Sequence, residues 1–343
     1  MLKYFKGSFL VTIIGFACAC LWGTKMHHGH WALALFIVAF LAILEVTLSF
    51  DNAVINAVKL DKLSPKWQHR FLTWGIAIAV FGMRFLFPVI IVSVFSGLSM
   101  IEVTKLALYN VDKYAYYLHM VHAPLVTFGG AFLFMLFLSY FFNEDKTTHW
   151  ICQIEKPMQM CNKIKSIEVV ISLFAVSIVQ HFVPAGEKLH VLLAGFWGIV
   201  LYLLIDSISN FLEKIAEQRT KLLGETVKLG FIGFLYLELI DASFSLDGVL
   251  GAFAISKDIV LITIGLAIGA MFVRSLTIYM VDKKTLKEYL YLEHGAHWAI
   301  GFLAMIMFYS TIKEVPEVVT GSIGLVLVGA AFISSVLHNK NTK

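Results

Sequence analysis

The chain has 343 residues, of which 59% are hydrophobic, 14% aromatic and 15% charged, and its mean hydropathy is +0.81. Soluble domains carry charge on about 25% of their residues, so this composition excludes an ordinary soluble globule and points to a membrane protein. The net charge of +4 does not point to nucleic acid, because the 27 Lys and Arg residues fall in short clusters between apolar runs and form no basic domain.

Six prolines and the lack of a Ser/Gly-rich linker leave nothing to divide the chain, so 1–343 reads as a single membrane bundle. Cys18, Cys20, Cys152 and Cys161 form neither a CxxC pair nor a disulfide-like framework, and they read as thiols packed among apolar neighbours. Taking about 20 apolar residues per crossing, ten helical spans are predicted, at 8–22, 31–58, 71–97, 121–142, 167–184, 189–206, 228–254, 258–281, 297–312 and 318–337. A barrel would show short alternating strands, whereas these runs are long and continuous.

In chain order, the first span follows Lys3 and Lys6 and carries the small residues Ala17 and Ala19, so a cleaved signal peptide is the alternative to a retained helix. His27, His28 and His30 follow it and read either as a polar loop or as a metal-gathering cluster. The span 31–58 is too long for one straight crossing and holds Glu45, Ser49, Asp51, Asn52 and Asn56 in its middle. The span 71–97 contains Arg84, and His119 and His122 stand at the edge of 121–142. The segments 143–166 and 207–227 read as charged connections, the second as a solvated helix with Glu213, Lys214, Glu217 and Lys221 at helical spacing. Gln180, His181 and Asp206 are further pathway candidates. The span 228–254 repeats the polar pattern of 31–58 with Glu238, Asp241, Ser245 and Asp247, and Arg274 lies in the next span. His294 and His297 edge the ninth, where solvated interfacial rings and a metal pair at i, i+3 are both readings.

Loop charge gives an independent test of the span count. With ten spans, 19 Lys and Arg residues fall on the side of the N-terminus and 6 on the other, while Arg84 and Arg274 lie within spans. Cytoplasmic loops are enriched in Lys and Arg, so both termini are expected in the cytoplasm. The chain also repeats internally. The segment Glu45–Asn52, EVTLSFDN, lies over Asp241–Gly248, DASFSLDG; Arg84 lies over Arg274; and YLHMVH at 117–122 lies over LEHGAH at 292–297. The offset of five spans makes the second copy enter from the opposite side, so the expected architecture is an all-α polytopic membrane protein of two inverted five-helix repeats, 8–184 and 189–337.

On Ser49-Phe50-Asp51-Asn52 and Ser245-Leu246-Asp247-Gly248, with Arg84 and Arg274 downstream, the chain resembles the TerC family of integral membrane proteins. The resemblance spans about 35–312 and implies a divalent-cation role, manganese export first, with an association with tellurite resistance. The chain departs from the common TerC pattern in its extra N-terminal helix and in Gly248 where the first copy has Asn52, which puts one side-chain ligand in doubt.

The residues support a cation without that resemblance. An ionised carboxylate in lipid needs a proton, a counter-ion or a bound cation. Asp51, Asp247, Glu45 and Asp241, with Asn52, Ser49 and Ser245, offer hard oxygen ligands that suit Mg, Ca or Mn. On an ideal helix Glu45, Ser49, Asn52 and Asn56 form one stripe that Asp51 leaves, so either the helix unwinds there or the two acids face different neighbours. Arg84 and Arg274 are the internal counter-ions, as structural partners of each repeat's carboxylate or as gates that compete with the cation.

The expected function is therefore a divalent-cation exporter, most simply of manganese, working by alternating access and coupled to protons, in a bacterial inner membrane. No cofactor is expected, with the cation as substrate. Expected partners are membrane lipid and the cation, with a second copy of the chain or exported metalloenzymes as further candidates, and no nucleic acid. Two rivals stand beside it: an exporter of a small organic solute, and a membrane partner that loads metal onto exported enzymes or anchors a complex. An enzyme is not expected, because no Ser/His, HExxH or GxSxG arrangement occurs.

Overall fold

The computed structural model describes the chain except at residues 1, 27–30, 79–80, 83–85, 165, 224–229, 232, 236, 239, 242–251, 253–254, 257, 314 and 342–343. The described residues are overwhelmingly helical and contain no strand. In chain order the longer helices are α1 (Leu2–Met26), α2 (Trp31–Leu48), α3 (Phe50–Asp61), α4 (Pro65–Ala77), α5 (Phe87–Ser96), α6 (Met100–Tyr109), α7 (Val111–Met120), α8 (His122–Phe142), α9 (Cys152–Met160), α10 (Ile167–Phe182), α11 (Lys188–Leu223), α12 (Ile259–Asp282), α13 (Leu292–Ser310) and α14 (Glu317–Asn341). The described part of 231–241 is also helical.

Six of these are long and apolar enough to cross a membrane: Lys3–Thr24, Trp31–Leu48, His122–Phe142, Lys188–Phe211, Ile259–Asp282 and Val319–Lys340; the apolar helix Ile167–Phe182 is shorter. Phe9, Ile13, Phe174 and Ile178 lie exposed on α1 and α10, the arrangement expected of helices that face lipid.

Three elements differ from the sequence reading. The run 31–58 is not one helix but α2 and α3, bent at Ser49, whose φ of −99° and ψ of 17° leave the helical region. Glu45 O still accepts from Ser49 N at 2.9 Å, and Ser49 O from Ala53 N at 3.0 Å, so the two halves stay end to end. Thr47 Oγ1 donates back to Ile43 O at 2.9 Å, a bond that bends helices. The run 71–97 is also divided, into α4 and α5, with π-helical winding at Ile78, Phe81, Gly82 and Leu86 between them. α5 ends at Gly97, whose φ of 71° is the left-handed cap that glycine adopts without a Cβ penalty. Last, 207–223 is no separate connection helix, because α11 continues through it to Leu223.

α3 packs against α12, α13 and α14, while α2 packs against α1, α12 and α14. The broadest packing joins α11 and α13 to α8, which is almost wholly buried, and α2 to α12. α11 approaches α8 so closely at Gly198 that a methyl there would overlap the Phe128 carbonyl oxygen, the small-residue contact typical of membrane helices. α1 is tied along α12: Ser8 Oγ donates to Met271 O at 2.9 Å and pairs with Ser275 Oγ at 2.8 Å, and Trp22 Nε1 donates to Asp258 Oδ2 at 2.8 Å. α1 and α11, the leading helices of the two proposed repeats, rest on different partners: α1 on α2 and α12, α11 on α8 and α10.

Candidate functional site

The bend at Ser49 starts α3 inside the bundle with Asp51 in its first turn, and every residue from Asp51 to Ala57 is buried. Asn52 and Asn56, one turn apart, point their amides at the second motif copy: Asn52 Nδ2 donates to Asp241 Oδ1 at 2.8 Å and Asn56 Nδ2 to the same oxygen at 3.2 Å. The other Asp241 oxygen, Oδ2, accepts from Arg274 Nη2 at 3.0 Å. Arg274, 2% exposed on α12, also forks onto Glu238 at 3.2 and 3.1 Å, donates to Phe71 O at 2.7 Å and lies over the Phe71 ring at 4.1 Å. Gly75 on α4 makes this pairing possible, because a methyl there would overlap both Arg274 Nη1 and Glu238 Oε1.

A polar core thus joins the two motif copies, with one guanidinium facing two carboxylates. The carbonyl oxygens of Asn52 and Asn56 and Arg274 Nε are buried there without a hydrogen-bond partner among the described residues. Such atoms are rare in native proteins, because each forfeits its hydration.

The remaining sequence candidates separate by face. Glu45, 3% exposed, packs on α12 at Gly269 and accepts from Ser49 Oγ at 3.2 Å. Asp51, also 3% exposed, turns instead toward Gly324 on α14, and its carboxylate accepts from the backbone amides of its own first turn. The helix both bends and sends its two acids to different neighbours. Helix N-termini favour such a charge. Arg84, Ser245, Asp247 and Gly248 lie outside the described residues, as do His27, His28 and His30. Among the described residues no three His, Cys, Asp or Glu side chains lie close enough to share one metal ion.

The histidines correct the interfacial reading. His119 is exposed, but His294 and His297 are buried. His297 stacks on Tyr140 with centroids 3.5 Å apart, and its Nδ1 bonds Glu293 O at 2.9 Å. His294 Nδ1 donates at 2.9 Å to Glu155, a residue that no sequence pattern marks. Glu155 on α9 is fully buried and also accepts from Lys146 Nζ at 3.0 Å, Trp298 Nε1 at 3.1 Å and the amides of Trp150 and Ile151. Burial pushes its carboxyl up, but the donors His294, Trp298 and Lys146 outweigh it and hold the group well below the usual carboxylate range. Burial pushes the Lys146 ammonium down, against the pull of Glu155. The connection 143–166 is therefore docked against α13 and not simply a solvated loop. The thiols are likewise less packed than expected, since Cys18 and Cys152 are exposed; His181 is exposed too.

Among the described residues, two cavities flank the bundle. One of about 440 Å³ lies at the Lys59 end of α3, with Asp206 and His297 in its wall. Another of about 330 Å³ lies beside Tyr117, Glu187 and His190. The chain matches the family described as Protein of unknown function (DUF475) over residues 50–342. No curated protein and no solved structure matches it at a significant level.

Proposed function

The chain belongs to the DUF475 family, and from the side chains of this member we propose a TerC-like carrier that moves a divalent cation, manganese first, out of the cytoplasm by alternating access. The observation that carries this reading is the meeting of the two motif copies. Asp241 of the second accepts from Asn52 of the first and from Asn56 one turn on, beside two buried amide oxygens that no described group satisfies. Carboxylate and amide oxygens together are the ligand chemistry of hard cations, and placing them in a membrane interior is costly unless a cation or a proton visits.

The described side chains alone make no three-acid cage. The reading therefore assigns part of the coordination to amide oxygens and to Asp247 and Ser245 of the second copy. Asp51, turned toward Gly324 on another face of α3, is the second acid of the pathway, and release of the metal to protons on these carboxylates supplies the coupling. Ten spans in two inverted repeats, with both termini cytoplasmic, accord with the loop-charge asymmetry and with the packing of the matched spans α8 and α13 on one another.

The test is manganese flux into sealed proteoliposomes. Wild-type protein should carry it, and Asp51→Asn and Asp247→Asn should each abolish it while still inserting and folding, since the amide keeps the carboxylate's shape and removes its charge. Wild-type flux in either variant would remove that residue from the pathway. Binding without flux by the unaltered protein would favour a scaffold that delivers metal.

A further inference from the structure

The cavity of about 440 Å³ lies at the end of α3 remote from Asp51, bounded by α3, α8, α10, α11 and α13. Its wall carries Asp145, Glu168 and Asp206 against Lys59 and Lys62. Both lysines, together with Lys146, act electrostatically on Glu293, so with that residue four carboxylates face three ammonium groups. Asp206 Oδ2 accepts from Asn210 Nδ2 at 2.9 Å, whereas no described side chain donates to Asp145 or Glu168. The carboxylate oxygens of Asp145 and Glu168 are therefore the part of this wall open to positive charge.

A second, independent feature points the same way. His297 lines the cavity, is only 4% exposed and stacks on Tyr140. Its Nδ1 faces a carbonyl, Glu293 O at 2.9 Å, and a carbonyl only accepts, so Nδ1 carries the proton in the neutral ring. Nε2 is then a lone pair with no protein donor among the described residues. A ring fixed in this way, Nδ1–H to a backbone carbonyl and Nε2 free, is oriented to receive a cation or a hydrogen-bond donor.

The volume selects between a bare and a hydrated ion. No three of these acids and histidines lie close enough to hold one metal ion directly. A divalent ion with six waters fills about 180–200 Å³ at about 30 Å³ per water, which fits within about 440 Å³. Its water protons can reach acceptors that are too widely spread for direct coordination. We infer that this cavity binds a hydrated divalent cation through its water shell, with Glu168, Asp145, Asp206 and His297 Nε2 as the acceptors. Its role as the cytoplasmic vestibule of the carrier rests on the proposed function, but the binding does not.

The test uses the full chain in detergent with Mn²⁺ alone as the probe, read by loss of the free aqua-ion signal in electron paramagnetic resonance. Asp51→Asn/Asp241→Asn protein, disabled at the central acids, should still bind Mn²⁺. Hexaamminecobalt(III), which keeps its ligands and offers only outer-shell donors, should displace it. Asp145→Asn/Glu168→Gln and, separately, His297→Phe should each weaken binding at least about tenfold, the scale of one charge-assisted hydrogen bond. The first pair lies toward the surface, and its thermal melt should match wild type, so it keeps the test valid if His297→Phe misfolds. Unchanged affinity in the Asp145/Glu168 variant, or displacement by tetramethylammonium but not by hexaamminecobalt, would overturn the inference. Binding that survives while the unaltered protein shows no flux would uphold the site and remove the carrier reading instead.

Discussion

At the residue scale, the pairing of Arg274 is where one atom most changes the outcome. Gly75 leaves room for the guanidinium and for Glu238. Gly75→Ala should therefore cost about 1–3 kcal/mol, as overpacking does, and appear as a lower thermal midpoint in detergent. Arg274→Gln leaves Glu238 and Asp241 buried without their shared cation, a change that costs about 3–5 kcal/mol. Adding Asp241→Asn should restore part of that loss, because one orphaned charge disappears. Thermal stability across this double-mutant cycle checks the pairing, and purely additive losses would show that the two side chains are not coupled. The Arg274 partners were accessible to sequence reasoning, since Glu238 and Asp241 share a helical face and the repeat places Arg274 downstream. Phe71 O and Gly75 were not, because nothing local links α4 to α12.

At the element scale, α9 behaves as a docked segment because Glu155 is held by donors from three stretches of chain. The folded carboxyl titrates below its unfolded value. Its contribution is therefore complete above the ordinary glutamate value of about 4.3 and is lost only as pH falls toward the folded value. Protease resistance of 143–166 should be constant from neutral pH down to about 5 and decline only under stronger acid. Glu155→Gln should weaken docking by about 2–3 kcal/mol, the worth of charge-assisted hydrogen bonds, and give faster cleavage of 143–166 at neutral pH with the rest of the chain intact. Cleavage at the wild-type rate would mean that the apolar contacts of α9 hold the segment and the carboxylate does not.

For the whole molecule, the sidedness of the charged loops makes a prediction that the exposed thiol Cys152 already serves. In intact cells a membrane-impermeant maleimide should leave Cys152 unlabelled and should label it once the membrane is opened; a cysteine placed at Asn341 should behave alike. Opposite behaviour at the two positions would end the inverted-repeat architecture.

Hydropathy, loop charge and the two copies of the S-x-D motif are properties of the linear chain, and they were enough to give the membrane character, most helix positions and the buried acids. A solvent that forbids unpaired backbone groups leaves a long apolar run few choices besides a helix. The bend at Ser49 was half legible, since Asp51 falls off the stripe of Glu45, Asn52 and Asn56, yet which neighbour each acid meets depends on how α3 is rotated against α12 and α14. Buried His294 and His297 looked interfacial because their cover comes from Glu155 and Tyr140, which lie on segments distant in sequence, and Glu155 carries no periodic or motif signal at all. Its partners are 9 and 139 residues away in sequence, at Lys146 and His294. Only tertiary structure brings such donors to one carboxylate, because hydrogen bonds and buried charge are settled by contacts between distant segments, whereas the partition into helix and loop is settled by each segment against its solvent.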